Sequence, residues 1–214
     1  MKKEGYQAIV IGVSAGGLAA LSKLFGCLPA GFELPVIIVQ HVHAKAIRQR
    51  FTHFNDKCPL TIKEAEDKET IQPGFVYFAP PDYHLLVERE ETFSLSIDAR
   101  VNYSRPSIDV LFESAAFVWS SGLIGILLTG ANNDGAKGMH WIKEYGGLTI
   151  VQDPLTAEYP VMPKAAIDAG AADKILPIED IGELLRAFSG SVDRGELNLR
   201  GFDNERPTKN IDRG

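Results

Sequence analysis

The chain has 214 residues, 45% of them hydrophobic, and a formal net charge of −6. That length and apolar content suit one α/β domain with a sizeable core, and the acidic balance argues against broad nucleic-acid or anionic-membrane binding. No apolar run approaches the roughly 20 residues that span a bilayer, and the N-terminus lacks a signal-peptide apolar region. Cys27 and Cys58 are too few and too far apart for a C-x-x-C metal or redox site, so two reduced cysteines in a cytoplasmic protein are expected.

Taken in chain order, the first apolar run, Ala8–Gly12, reads as a buried strand that stops at the glycine-framed serine of Gly12-Val13-Ser14-Ala15-Gly16, and a helix is expected over 17–27. A second strand follows at Val36–Gln40 and ends in His41, then a helix over 45–55 and a third strand at Phe75–Ala79. Leu85–Arg89 and Phe93–Ile97 read as an antiparallel hairpin that interrupts the βα rhythm. The clearest helix spans 107–120, with Ile108, Leu111, Phe112, Ala115 and Trp119 on one stripe and Ser107 placed to cap its start. Strands at Gly125–Thr129, Leu148–Gln152 and, more weakly, Lys174–Leu176 alternate with helices over 135–145, 163–169 and 178–188. This pattern predicts a three-layer αβα domain with a doubly wound, mainly parallel sheet and an antiparallel hairpin insertion. The domain is expected over 1–188. Residues 189–214 hold few large apolar side chains and balance five basic against five acidic residues, the composition of a flexible C-terminal tail.

The Ser14 turn poses a choice. G-x-S-x-G is the spacing of a nucleophile elbow, in which small neighbours let the backbone bend sharply and hold the hydroxyl over the sheet edge. The stretch also half-fits the dinucleotide fingerprint G-x-G-x-x-G, with Ser14 in place of the middle glycine. A dinucleotide site wants an acidic residue at the end of the second strand. Here that strand ends in His41, and Glu33 lies before it. A histidine there suits a general base better than a ribose clamp, which favours the hydrolase.

In open parallel sheets ligands bind beyond the carboxyl ends of the strands. Ser14, His41 and Asp134 all fall at that edge, Asp134 through the loop Gly130-Ala131-Asn132-Asn133. A serine hydroxyl is a poor nucleophile until a histidine takes its proton, and a buried carboxylate fixes the histidine tautomer. The order Ser, His, Asp matches none of the familiar hydrolase arrangements, but triads are defined by geometry. Each residue also has a plainer reading. Ser14 and Asp134 can cap helices, and His41 can be a core histidine. His41 and His43 can be a metal pair on one strand face, with Asp134 or His84 completing it, although no spacing supports that, so no metal or cofactor is expected. Asp109 and Asp153 compete with Asp134. Asp109 falls in the first turn of its helix, where the dipole favours a carboxylate, and Asp153, before Pro154, belongs to a turn. His84 reads as structural or as part of the rim.

With these residues in view, the chain resembles the catalytic domain of the chemotaxis receptor protein-glutamate methylesterases, the CheB family. The resemblance rests on Ile11 to Gly17, Val39-Gln40-His41, Pro73 to Pro80 with His84-Leu85, and Arg105 to Phe112. It continues through Leu127 to Gly130 with Asp134-Gly135-Ala136, and from Val151 to Pro154 through to Met162-Pro163-Lys164-Ala165-Ala166. It implies a metal-free serine hydrolase that removes methyl esters from glutamyl side chains of chemoreceptor signalling helices, releasing methanol, and that in some members deamidates glutamine. Ser14, His41 and Asp134 take the triad positions, and the backbone N–H groups of Ala15 and Ala131 are the candidate oxyanion donors.

Three departures stand out. The family usually has Ser-Thr-Gly-Gly, Gln-His-Met/Leu-Pro and Thr-Gly-Met-Gly where this chain has Ser14-Ala15-Gly16-Gly17, Gln40-His41-Val42-His43 and Thr129-Gly130-Ala131-Asn132. Activity is expected to survive them, with an altered rate or substrate. Well-studied members also carry an N-terminal receiver domain, for which no room is expected before the first strand of this chain. Lys45, Arg48 and Arg50 follow His41 and are candidates for docking an acidic receptor helix, or form an ordinary solvated helix face. The alternative from another class is a catalytically silent binding module on the same fold, and a nucleotide binder stands third.

Overall fold

The computed structural model describes residues 5–41, 53–54 and 58–188 of the chain. The helix expected over 45–55 is therefore visible only at His53 and Phe54, which are helical, and the expected tail over 189–214 lies outside the described residues.

Among the described residues seven strands form one sheet in the order β3-β4-β2-β1-β7-β8-β9, with every pairing parallel. They are β1 (Ala8–Val13), β2 (Val36–Gln40), β3 (Thr61–Glu64), β4 (Phe75–Phe78), β7 (Leu123–Leu127), β8 (Leu148–Gln152) and β9 (Lys174–Leu176). The expected hairpin is present as β5 (His84–Val87) and β6 (Phe93–Ser96), which pair antiparallel in a sheet of their own. Five helices are described in full: α1 (Gly17–Phe25), α2 (Ile108–Trp119), α3 (Ala136–Glu144), α4 (Val161–Asp168) and α5 (Ile178–Ala187).

Strands β1 and β7 at the centre of the sheet are apolar throughout because both faces are covered. Along β1 the side chains alternate between two cores, one on each side of the sheet. Ile9, Ile11 and Val13 pack with Leu21, Leu24 and Phe25 of α1 and with Ile181, Leu184 and Leu185 of α5. Ala8 and Val10 join Ile108, Leu111 and Phe112 of α2, Met139 and Ile142 of α3, and Met162 and Ala166 of α4.

Two local expectations differ from the structure. The sheet has an edge strand, β3, beyond those expected from apolar runs; its Lys63 is held by Glu66 at 2.9 Å and Glu69 at 2.8 Å. Strand β7 ends at Leu127, whereas the sequence placed the strand over Gly125–Thr129. Past that point the chain stays bonded to the β1 side, with the Leu128 amide donating to the Gly12 carbonyl at 2.9 Å, while the Thr129 amide donates to the Gln152 side chain at 2.9 Å.

The topology also creates the site. From β1 the chain builds outward through β2 to β4 and β3, then returns to lay β7 against the other side of β1. This reversal of strand order opens a crevice past the carboxyl ends of β1 and β7, where open α/β sheets bind ligands. Ser14 follows β1, His41 follows β2 and the Thr129–Asp134 loop follows β7.

Candidate active site

Ser14 sits in the turn between β1 and α1. Its amide donates to the Thr129 carbonyl at 3.0 Å, and its own carbonyl accepts from the Gly17 amide at 3.0 Å. The turn needs a glycine at Gly16, where φ is 77° and an added Cβ would lie 3.0 Å from Thr129 Oγ1 and from Glu158, because other residues pay a steric penalty in this left-handed region. Thr129 Oγ1 donates to the Ala15 carbonyl at 2.9 Å and so braces the same turn. The Ser14 hydroxyl does not cap α1; it faces His41.

The His41 amide donates to the Val13 carbonyl at 3.0 Å, which fixes the end of β2 beside the serine turn. Its ring Nδ1 lies 3.2 Å from Ser14 Oγ, and its Nε2 lies 3.0 Å from Asp134 Oδ2. Since an ionised carboxylate can only accept, Nε2 carries the proton toward Asp134 and Nδ1 presents its lone pair to the Ser14 O–H. The ring is thus oriented the opposite way round from that of chymotrypsin-like triads.

Asp134 is fully buried and accepts five hydrogen bonds from the described residues. Its Oδ2 takes the His41 ring and the Ile108 amide at 2.7 Å. Its Oδ1 takes Asn102 Nδ2 at 2.9 Å, Ser107 Oγ at 2.8 Å and the Asp109 amide at 3.2 Å. Burial is the largest single influence on this carboxyl and opposes its charge. The bonds from His41, Asn102, the Ile108 amide and Ser107 outweigh burial and hold its pKa below the usual aspartate value.

Two of those donors are backbone amides at the start of α2, so Asp134 caps that helix from outside it. This corrects the expectation for Ser107, whose hydroxyl makes no cap bond and instead supports Asp134. Asp109 does lie in the first turn of α2, but its carboxylate serves the next helix: Oδ1 accepts from the Gly135 amide at 2.9 Å and the Gly138 amide at 2.7 Å, at the start of α3. The two helices therefore exchange caps. Asn102 bridges the exchange, donating to Asp109 Oδ2 at 2.7 Å as well as to Asp134. Asp109 itself is held above the usual aspartate range, first by burial and also by the charge of Asp134, against the lowering effect of the Gly138 amide, Asn102 and the Gly135 amide.

The other candidates separate clearly. His84 is structural: its Nδ1 accepts from the Ser107 amide at 3.2 Å and its Nε2 donates to the Ala99 carbonyl at 3.1 Å. Asp153 closes a turn, with Oδ1 accepting from the Leu155 amide at 2.9 Å. His43, Lys45, Arg48 and Arg50 lie outside the described residues, so the metal-pair and docking readings that use them are not placed. An open cleft of about 390 Å³ lies over the triad, lined by Ser14, Ala15, His41, Arg100, Tyr103, Ser104, Arg105 and Pro106. Asn102, Tyr103 and Asn132 are site residues that the sequence reading does not single out. The available signals are an Asn-Tyr turn just before the Arg-Pro-Ser-Ile-Asp motif, and an asparagine two residues before Asp134.

The sequence profile of the CheB methylesterase family matches residues 9–185. This chain belongs to the CheB methylesterase family. A Leptospira interrogans protein with a provisional protein-glutamate methylesterase/protein-glutamine glutaminase name is 55% identical over 179 residues, covering 84% of this chain and 93% of that one. The protein-glutamate methylesterase/protein-glutamine glutaminase of Thermotoga maritima is 38% identical over 180 residues, 83% of this chain and 52% of that protein, so this chain spans about half its length. The crystal structure of the Thermotoga maritima CheB methylesterase catalytic domain superposes with a TM-score of 0.82 at 36% identity, over 86% of this chain and 98% of that one. The expected α/β architecture and the expected family both hold, and family membership supports the hydrolase over the silent binding module.

Proposed function

We propose that this chain is a protein-glutamate methylesterase in which Ser14 is the nucleophile, His41 the general base and acid, and Asp134 the carboxylate that orients His41. The observation that carries this reading is the unbroken relay from Ser14 Oγ to His41 Nδ1 at 3.2 Å and from His41 Nε2 to Asp134 at 3.0 Å, opening onto a cleft. His41 takes the Ser14 proton as Oγ attacks the ester carbonyl. It returns that proton to the departing methoxide, so methanol leaves and an acyl-enzyme remains. Water, deprotonated by the same ring, then releases the glutamate side chain.

The amides of Ala15 and Ala131 are the proposed oxyanion donors. Neither is engaged by another group among the described residues, and Ala15 lines the cleft. The partners are the cytoplasmic helices of methylated chemoreceptors, which places the protein in the cytoplasm and in signal transduction. The names of the relatives extend the reading to glutamine deamidation at the same sites. Among the described residues no helix is long and apolar enough to cross a membrane.

The deciding experiment is methanol release from a methylated receptor cytoplasmic fragment. Turnover by the native chain that disappears in Ser14→Ala, with the unfolding midpoint unchanged, is the expected result. No turnover on several receptor fragments by well-folded protein would overturn the reading.

A further inference from the structure

The Asn132 side chain has a role beyond shaping its loop, an inference that rests on the esterase reading above. Its Oδ1 accepts the Asp134 amide at 3.2 Å, which fixes which end of the carboxamide is oxygen. Its Nδ2 is thereby aimed at His41 Nδ1, 3.4 Å away. That nitrogen has one lone pair, and two donors converge on it: the Ser14 hydroxyl at 3.2 Å and the Asn132 amide at 3.4 Å. The amide therefore converges with the Ser14 hydroxyl on one ring nitrogen of His41.

We propose that Asn132 is a catalytic residue that donates a hydrogen bond to the oxyanion of the tetrahedral intermediate. As the Oγ–C bond forms, the Ser14 proton moves to His41 Nδ1 and the carbonyl π pair moves onto oxygen. Protonated Nδ1 no longer accepts, so the Asn132 N–H loses its resting partner at the moment a stronger, charged acceptor appears next to it. When the C–O bond to methoxide breaks and His41 passes its proton to the leaving group, the lone pair is restored and the amide returns. The carboxamide thus adds a side-chain donor to the backbone donors, and it is held by the loop that also carries Asp134.

The test compares native protein with Asn132→Ala and Asn132→Asp on a methylated receptor fragment, with phenylboronic acid as a probe that forms a tetrahedral adduct on serine. Loss of an oxyanion donor of this kind costs about 10²–10³ in kcat. Asn132→Ala is expected to lose that much with KM within about threefold of native, while phenylboronic acid binds at least about tenfold more weakly; its unfolding midpoint falls because the Asp134 amide loses its acceptor, and Asn132→Asp keeps that acceptor and controls for the loss. Asn132→Asp keeps the acceptor for the Asp134 amide and removes the donor, so it is expected to be no more active than Asn132→Ala. Native-like kcat in either variant would overturn the proposal. A fall in kcat with unchanged boronate affinity would also overturn it, reducing Asn132 to a support for His41. If the native protein itself shows no Ser14-dependent turnover, the esterase reading fails, and this assignment fails with it.

Discussion

Asp134 joins the chemistry to the fold, and Asp134→Asn separates the two. All five of its partners are donors: the His41 ring, Asn102, Ser107, and the Ile108 and Asp109 amides. An amide replaces one accepting oxygen by a group that donates. If the NH₂ takes the Oδ2 place, it faces the Ile108 amide and forces His41 into the other tautomer, with its proton on Nδ1 and no lone pair for Ser14. If it takes the Oδ1 place, it faces Asn102 and the Asp109 amide. Either way about two buried donors lose their acceptor at roughly 1–3 kcal/mol each, for an expected loss of about 3–5 kcal/mol, the range found when one partner of a buried charged pair is removed. A wrong-tautomer histidine lowers kcat by about 10⁴ in other serine triads, equivalent to roughly 5.4 kcal/mol of barrier. Urea unfolding followed by the fluorescence of buried Trp119 reads the first quantity, and methanol release the second. The stability gap must also depend on pH. The native carboxyl has its pKa lowered by bonds that outweigh burial, so its contribution is full above the unfolded-state value of about 3.9 and is lost as pH falls through the folded value. The native protein and the Asp134→Asn variant should therefore converge in stability toward the acid end. The kcat loss is expected for the orientation with NH₂ in the Oδ2 place; a folded Asp134→Asn protein with kcat within about tenfold of native would show the opposite orientation and refute the expected change of tautomer. A stability loss that stays constant down to strong acid would refute the capping argument.

Asn102→Ala removes the donor shared by the two carboxylates and is expected to destabilise by about 2 kcal/mol at neutral pH. Asp109 is already raised, by burial first, and a raised group contributes stability below its unfolded pKa that is lost as pH rises through the folded one; thermal unfolding should show a smaller deficit near about pH 4 than near about pH 7, and an equal deficit at both would refute the bridge. Tyr103 lines the cleft yet is 96% exposed, so Tyr103→Ala is expected to raise KM for a receptor fragment several-fold while sparing a small ester such as p-nitrophenyl acetate. Equal loss on both substrates would show that Tyr103 shapes the triad and does not dock the receptor.

The positions of the proposed triad are legible because each member ends or follows a strand that announces itself. The run Ala8–Val13 is apolar at every position and stops at a glycine turn, and Val36–Gln40 is nearly as plain; both are buried throughout. The edge strand β3 is not legible. Thr61-Ile62-Lys63-Glu64 is short and half charged, and it is tied to its neighbours by ladder pairing and by Lys63 contacts that apolar periodicity does not report. The support around Asp134 is hidden for another reason: its partners Asn102 and Ser107 lie 32 and 27 residues earlier in the chain. Ser107 carries a valid local cap signal, but an ionised carboxylate from across the crevice competes for the same amides and makes the stronger, charge-assisted bonds.

The reciprocal caps explain how this site carries a buried charge with no lysine or arginine among the five donors that the described residues supply to Asp134. Burial alone would drive a carboxyl to protonate, and a protonated Asp134 could neither fix the His41 tautomer nor stabilise the imidazolium. The fold answers with the positive end of α2, whose first amides point at Asp134, and it satisfies the start of α3 with Asp109 in return. The groups that keep Asp134 ionised thus also hold α2 against α3, so weakening the charge should loosen the helix pair as well. The departures at Ala15 and Ala131 leave this apparatus intact. Thr129 Oγ1 braces the serine turn through the Ala15 carbonyl, an acceptor that any residue at position 15 supplies. Position 131 contributes its backbone N–H alone to the proposed oxyanion site, and an alanine keeps that donor. Within the 129–132 loop Asn132 adds a functional group where the family has glycine, so the effect of this loop on the rate should concentrate in its carboxamide.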